Sequence, residues 1–203
     1  MSLWIVALVG LMYGCAAYLG VELSAVVCKN ITPFEDGPKP GKPPVALLIA
    51  GSVAVGVSLA LRGADYPSLG IAALVSVSLV ACWYSDVRTG IVPDVFTLAP
   101  LGALLLVAGL THNWNVFFAT IGVVVPFSAA AMLSKGRGMG WGDVKLVALG
   151  GAALGLSTAL IAFSVACFTA AAVALALRRR SEPIAFAPYL AGAIGVAMIF
   201  NVF

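Results

Sequence analysis

Charge is what this chain has least of. Asp, Glu, Lys and Arg make up 9% of its 203 residues, against about 25% in soluble globular chains. Eleven basic and eight acidic side chains are too few to cover a folded body of this size with a water-facing surface. The scarcity excludes a disordered chain and a nucleic-acid binder with a basic face. Histidine occurs once, and the four cysteines, Cys15, Cys28, Cys82 and Cys167, form no Cys-x-x-Cys pair. No zinc site, redox pair or disulfide-stapled module is therefore indicated, and the cysteines read as small buried hydrophobes. Nor does a basic stretch precede the first apolar run. Leu3 to Val27 exceeds the roughly 7–15 residues of a signal-peptide core, so it reads as a retained helix.

What is there is apolar: 62% hydrophobic residues and a mean hydropathy of +1.10. The expected class is an all-α, polytopic membrane protein whose main partner is the lipid bilayer. A helix crossing a hydrocarbon core of about 30 Å needs about 20 apolar residues. Marking runs and interruptions predicts about eight transmembrane helices over 3–27, 44–61, 68–85, 95–111, 115–133, 143–155, 157–177 and 184–203. The sixth is too short to span unaided. It is divided from the seventh at Gly155 and Ser157, because the apolar run from Val144 to Leu177 is too long for one crossing.

The placement of basic residues supports that division. Loops rich in Lys and Arg stay on the cytoplasmic side. With the N-terminus outside and eight crossings, ten of the eleven basic residues lie at the inner ends and only Arg62 lies outside. Fusing the sixth and seventh segments would move Arg178, Arg179 and Arg180 to the wrong side. The inner stretch from Lys29 to Pro44 carries five prolines and two glycines and reads as a tether within a single membrane domain, 1–203, whose core is 44–203.

Acidic residues in such a chain are informative, since a carboxylate at the bilayer centre costs about 2.5–3.5 kcal/mol on insertion scales. Glu35, Asp36, Asp65 and Glu182 fall in loops with water at hand. Glu22, Asp86, Asp94 and Asp143 lie at the expected cytoplasmic surface. Asp86 ends the hydrophobic third segment and opens Ser85-Asp86-Val87-Arg88-Thr89-Gly90-Ile91-Val92-Pro93-Asp94. Asp143 closes an alternating run of Gly138, Gly140 and Gly142, which permits positive φ and close backbone approach, and Lys145 follows. Helix capping is one reading of Asp143. The other pairs it with Asp86: two carboxylates face to face do not both ionise readily and can share a proton, one form accepting from water and the other donating to a carbonyl oxygen. Such a pair hydrolyses peptide bonds.

These residues carry a resemblance. SDVRTGIVPD, then GMGWGDVKL, then EPIAFAPYLAGA after a basic loop resemble, in that order and across most of 44–203, the type IV prepilin peptidases, intramembrane aspartic proteases of the GxGD kind. The resemblance implies that Asp86 and Asp143 are the catalytic pair, supported by Pro93, Gly138, Gly140, Gly142 and Lys145, with no metal and no cofactor. It implies a bacterial inner-membrane enzyme removing a short basic leader from prepilin-like (type IV pilin or pseudopilin) substrates. Many members carry paired Cys-x-x-Cys motifs between the first two helices, associated with N-methylation. Here that place holds the proline-rich tether, so methyltransferase activity is not expected. The third motif, usually Ile-Pro-Phe-Gly-Pro-Phe, reads Ile184-Ala185-Phe186-Ala187-Pro188-Tyr189.

The remaining candidates have plainer readings. Asp94 is expected to cap the fourth helix. Glu22 is expected to snorkel or to pair with a loop lysine. His112 reads as an interfacial residue, and Trp4, Trp83, Trp114 and Trp141 as interfacial anchors. Lys145 has two readings, a contact to the leader or an aspartate, and a positive-inside anchor. Function classes other than the protease are a proton- or cation-coupled transporter, a non-catalytic pilus or secretion component, and a metal-dependent version of the pair.

Overall fold

The computed structural model describes residues 2–29, 41–133, 139–176 and 185–200. Among them are eight helices and no strand: α1 (Leu3–Lys29), α2 (Val45–Leu61), α3 (Tyr66–Thr89), α4 (Val95–Leu110), α5 (Trp114–Leu133), α6 (Trp141–Leu154), α7 (Leu156–Ala176) and α8 (Ala187–Phe200). These agree with the eight expected segments to within a few residues at each end. Four, α1, α3, α5 and α7, are long and apolar enough to cross a bilayer, and α2, α4 and α8 are shorter apolar helices. The chain is a helical, multi-pass membrane protein. Most of the 29–44 tether lies outside the described residues, as do Gly138 and Arg178 to Arg180.

Burial sorts the helices into an inner and an outer set. Over their most apolar stretch α5 and α7 are only 22% buried, whereas α3 is 56% buried. Large apolar side chains such as Phe118, Val125, Ile161 and Phe168 point outward, which lipid permits and water would not. At the centre lies α6, buried at all but three of its fourteen positions. Its length, about 21 Å at 1.5 Å per residue, falls short of the hydrocarbon core, but contacts with α4, α5, α7 and α8 surround it with protein. The expected break between the sixth and seventh segments is present. Gly155 has φ +74°, a conformation that a residue with a Cβ rarely adopts, and it turns the chain from α6 into α7.

Small residues set the helix spacing, as they do where lipid supplies no driving force for association. A Cβ on Gly151 of α6 would lie 2.5 Å from Val123 Cγ2 and 3.3 Å from the Ala119 carbonyl of α5. Gly151→Val is expected to destabilise the fold by about 1–3 kcal/mol through overpacking, measurable as a lowered unfolding midpoint in detergent. On the other flank, Gly56 of α2 lies under the Tyr13 ring of α1, where a Cβ would meet ring carbons at 2.5 Å. The Tyr13 hydroxyl donates to the Leu69 carbonyl of α3 at 2.7 Å, tying three helices together. Arg62, the one basic residue assigned to the outer side, donates to the Phe200 carbonyl at 2.7 Å, while Ser58 donates to Ile199. Both satisfy carbonyls at the C-terminus of α8, where a cation also complements the helix dipole.

Two expectations need correction. Of the cysteines only Cys82 is buried, while Cys15 and Cys167 are exposed; a small apolar side chain faces lipid at little cost. Trp4, Trp114 and Trp141 are exposed, but Trp83 is half-buried, with its ring against α8 beside Gly192, and so packs between helices.

Candidate active site

One end of the bundle gathers the C-terminus of α3 and the N-termini of α4, α6 and α8. The end of α3 is built by its own side chains. Thr89 Oγ1 donates to the Ser85 carbonyl at 2.9 Å and accepts the Ile91 N–H at 3.3 Å. Gly90, with φ +69°, then takes the left-handed conformation and its N–H closes on the Asp86 carbonyl at 2.9 Å. This is a helix stop that favours glycine. It directs Ile91-Val92-Pro93-Asp94 across the start of α6.

Gly142 makes that crossing possible. A Cβ there would lie 3.0 Å from Val92 Cβ and 3.7 Å from the Val92 carbonyl. The reason expected for the alternating glycines is therefore half correct. Gly140 is extended, with φ −81° and ψ 157°, and neither Gly140 nor Gly142 has positive φ; what Gly142 supplies is close approach. Gly138 lies outside the described residues. Gly140 precedes α6, and its N–H donates to Asp143 Oδ2 at 3.1 Å, so Asp143 does bind the helix start.

Asp86 and Asp143 are both buried, 6% and 9% exposed, on helices that touch. They are close enough for the charge of Asp143 to be felt at Asp86. Asp86 Oδ2 accepts the Ala187 N–H at 3.1 Å. Each carboxylate thus has one oxygen held by the backbone amide at the start of a helix, α6 for Asp143 and α8 for Asp86. Two buried acids at one end of the bundle, each with its second oxygen not engaged by that amide, have the chemistry that proton exchange requires.

A scan against known protein families matches residues 72–175 to the type IV leader peptidase family. The chain belongs to that family. The matched stretch contains both aspartates and the Ile91–Asp94 crossing segment. Among curated proteins, the chain is 33% identical over 174 residues to a prepilin leader peptidase/N-methyltransferase of Burkholderia pseudomallei (strain K96243), covering 77% of this chain and 54% of that one. Proteins of the same name from Aeromonas hydrophila and Aeromonas salmonicida are 32% and 34% identical over 172 residues, 78% of this chain and 58% of theirs. The chain thus spans a little over half the length of these relatives. No solved structure matches it.

Among the neighbouring residues, Asp94 behaves differently from its sequence reading. Asp94 occupies the N-cap position of α4, but its side chain makes no capping hydrogen bond. It pairs instead with Lys145 at 2.5 Å, because the chain crossing at Val92 delivers it to the outer side of α6. Lys145 accordingly points to Asp94 and not to either buried aspartate. With side chains 32% and 59% exposed, the pair is a weak clasp, and Lys145→Met is expected to change unfolding free energy by no more than about 1 kcal/mol in a denaturant titration. Pro93 lies in the crossing segment between Val92 and Asp94. Glu22 is exposed on α1, with the Tyr18 hydroxyl beside it one helical turn away. His112 is exposed in the turn between α4 and α5 with φ +55°, remote from the aspartates.

The residue that sequence reasoning missed is Ala187. Its motif was legible, but a backbone donor leaves no mark in the identity of a side chain.

Proposed function

We propose that this chain is a membrane aspartic endopeptidase that removes the N-terminal leader from prepilin-like substrates, with Asp86 and Asp143 as the catalytic residues. The observation that carries the reading is the pair itself: two buried carboxylates from α3 and α6, within electrostatic reach at one end of an apolar bundle. Family membership and relatives named as prepilin leader peptidases support the substrate class.

The reaction follows from the pair. One aspartate takes a proton from water as the water oxygen bonds to the scissile carbonyl carbon, while the other donates its proton to the carbonyl oxygen. Collapse re-forms the carbonyl, breaks the carbon–nitrogen bond and delivers a proton to the leaving nitrogen. The products are the leader's carboxylate and the mature chain's amine, and the pair regains its single proton. No metal or cofactor takes part.

The membrane placement completes the proposal. Eight crossings with the N-terminus outside put the α3–α4 and α5–α6 connections, and so both aspartates, at the cytoplasmic face of a bacterial inner membrane. There the pair meets a basic leader that has not crossed. Residues 1–203 act as one membrane domain, and the activity is leader cleavage without N-methylation, since the sequence holds no Cys-x-x-Cys pair. A transporter built on the same acids fits less well, because both lie at helix ends rather than at mid-bundle. The test is cleavage of a prepilin-like substrate by the wild type and by the two Asp→Asn variants, with the mass of the product's N-terminus reporting whether a methyl group has been added.

A further inference from the structure

The start of α8 has few amides to offer. Phe186 precedes it, and the Phe186 carbonyl accepts the N–H groups of Tyr189 at 3.0 Å and Leu190 at 3.3 Å. Pro188 has no N–H at all. Ala187 therefore carries the first-turn amide that is free to leave the helix, and it donates to Asp86 Oδ2 at 3.1 Å, 101 residues away in the chain. Ala187 is fully buried, so water does not compete for that amide. Orphan amides at a helix start are also where the helix favours negative charge.

The geometry points to the Ala187 backbone N–H as a positioning group for the reaction: by holding Oδ2, it fixes the Asp86 carboxylate and leaves Oδ1 for the proton exchanged with Asp143 and the attacking water. Asp143 is held in the same manner by the Gly140 N–H on its own Oδ2. The pair is thus oriented by two backbone amides, one from each of two helix starts. The Ala187-Pro188 sequence suits this role, because proline in the first turn removes an amide without straining the helix and leaves its neighbour's to point outward. This inference rests on Asp86 being catalytic.

Proline substitution separates the amide from the side chain. Ala187→Pro deletes the N–H at a first-turn position where proline is tolerated, whereas Ala187→Gly keeps it. In a cleavage assay Ala187→Pro is expected to lower kcat about 10–100-fold, the range of a lost hydrogen bond to a charged group. KM is expected to stay within about twofold, since the donor acts on the reacting carboxylate and not on the leader. Ala187→Gly is expected to remain within about fivefold of the wild-type kcat, because the lost methyl is small. Equal losses in both variants would assign the effect to packing and overturn the inference, as would undiminished kcat in Ala187→Pro.

A second measurement holds even if Ala187→Pro does not fold. In Asp86→Ala the acceptor is gone, and the Ala187 amide is expected to exchange with deuterium at least tenfold faster while amides later in α8 keep their rates. Unchanged exchange at Ala187 would also overturn the inference. Asp86→Asn is run alongside: if it cleaves like the wild type, the catalytic reading itself fails and the positioning role falls with it. If Asp86→Asn is inert and Ala187→Pro is fully active, only the positioning role is lost.

Discussion

Asp86→Asn and Asp143→Asn are each expected to reduce leader cleavage by at least about 10³-fold, to background, while the protein stays folded. The magnitude follows from the loss of an acid–base group at the reacting atoms, which general acid–base catalysis values at about 10²–10⁴-fold. Neither variant works at partial efficiency, because the two carboxylates exchange one proton and an amide in either place cannot accept it. Folding survives because Asn retains an oxygen that accepts the Ala187 or Gly140 N–H now held by Oδ2. Removing a buried carboxylate also relieves a desolvation cost, so the unfolding midpoint is expected to hold or to rise. Activity and stability should therefore move apart, and a parallel loss of both would identify the aspartates as structural.

Gly142→Val is expected to cost about 10²-fold in kcat with a smaller effect on stability. The space is decided by one contact: a Cβ at this position sits 3.0 Å from Val92 Cβ and 3.7 Å from the Val92 carbonyl, and the branches of valine add bulk to it. Something must shift, and the movable body is the first turn of α6, which carries Asp143 on the next residue. Displacing a reacting group by about 1 Å costs on the order of 10²-fold in rate. The deeper part of α6, from Leu146 to Leu154, is packed by four other helices and is expected to hold its place. Single-turnover cleavage and an unfolding titration on the same preparation check both halves. Full activity in Gly142→Val would mean that the α6 start does not set the geometry of the pair.

The helices were legible because crossing a bilayer imposes a length on each apolar run and leaves charge only in the connections. Gly155 was legible for the same reason, as a break in a run too long to be one crossing. Asp86 and Asp143 stood out because acids are costly there. What could not be read was which faces meet. Helices apolar on every side show no periodicity to mark an inner stripe, so Tyr13 over Gly56 and Gly151 against Val123 emerged only from the packed bundle. Contacts made by backbone were hidden too. Neither Ala187 on Asp86 nor the left-handed stop at Gly90 was inferred from the motif letters. Asp94 was misread because N-cap position is a local signal, whereas its partner, Lys145, lies 51 residues away.

The central claim is that Asp86 and Asp143 hydrolyse a peptide bond at a membrane surface. It is tested most directly by reconstituting the purified wild-type protein in liposomes with a prepilin-like substrate and weighing the fragments by mass spectrometry. The account predicts two fragments from a single cut, whose summed mass exceeds the substrate by one water, and none with Asp86→Asn or Asp143→Asn. An intact substrate, together with proton flux into the same liposomes that vanishes in both Asn variants, would contradict it and make the pair an ion path.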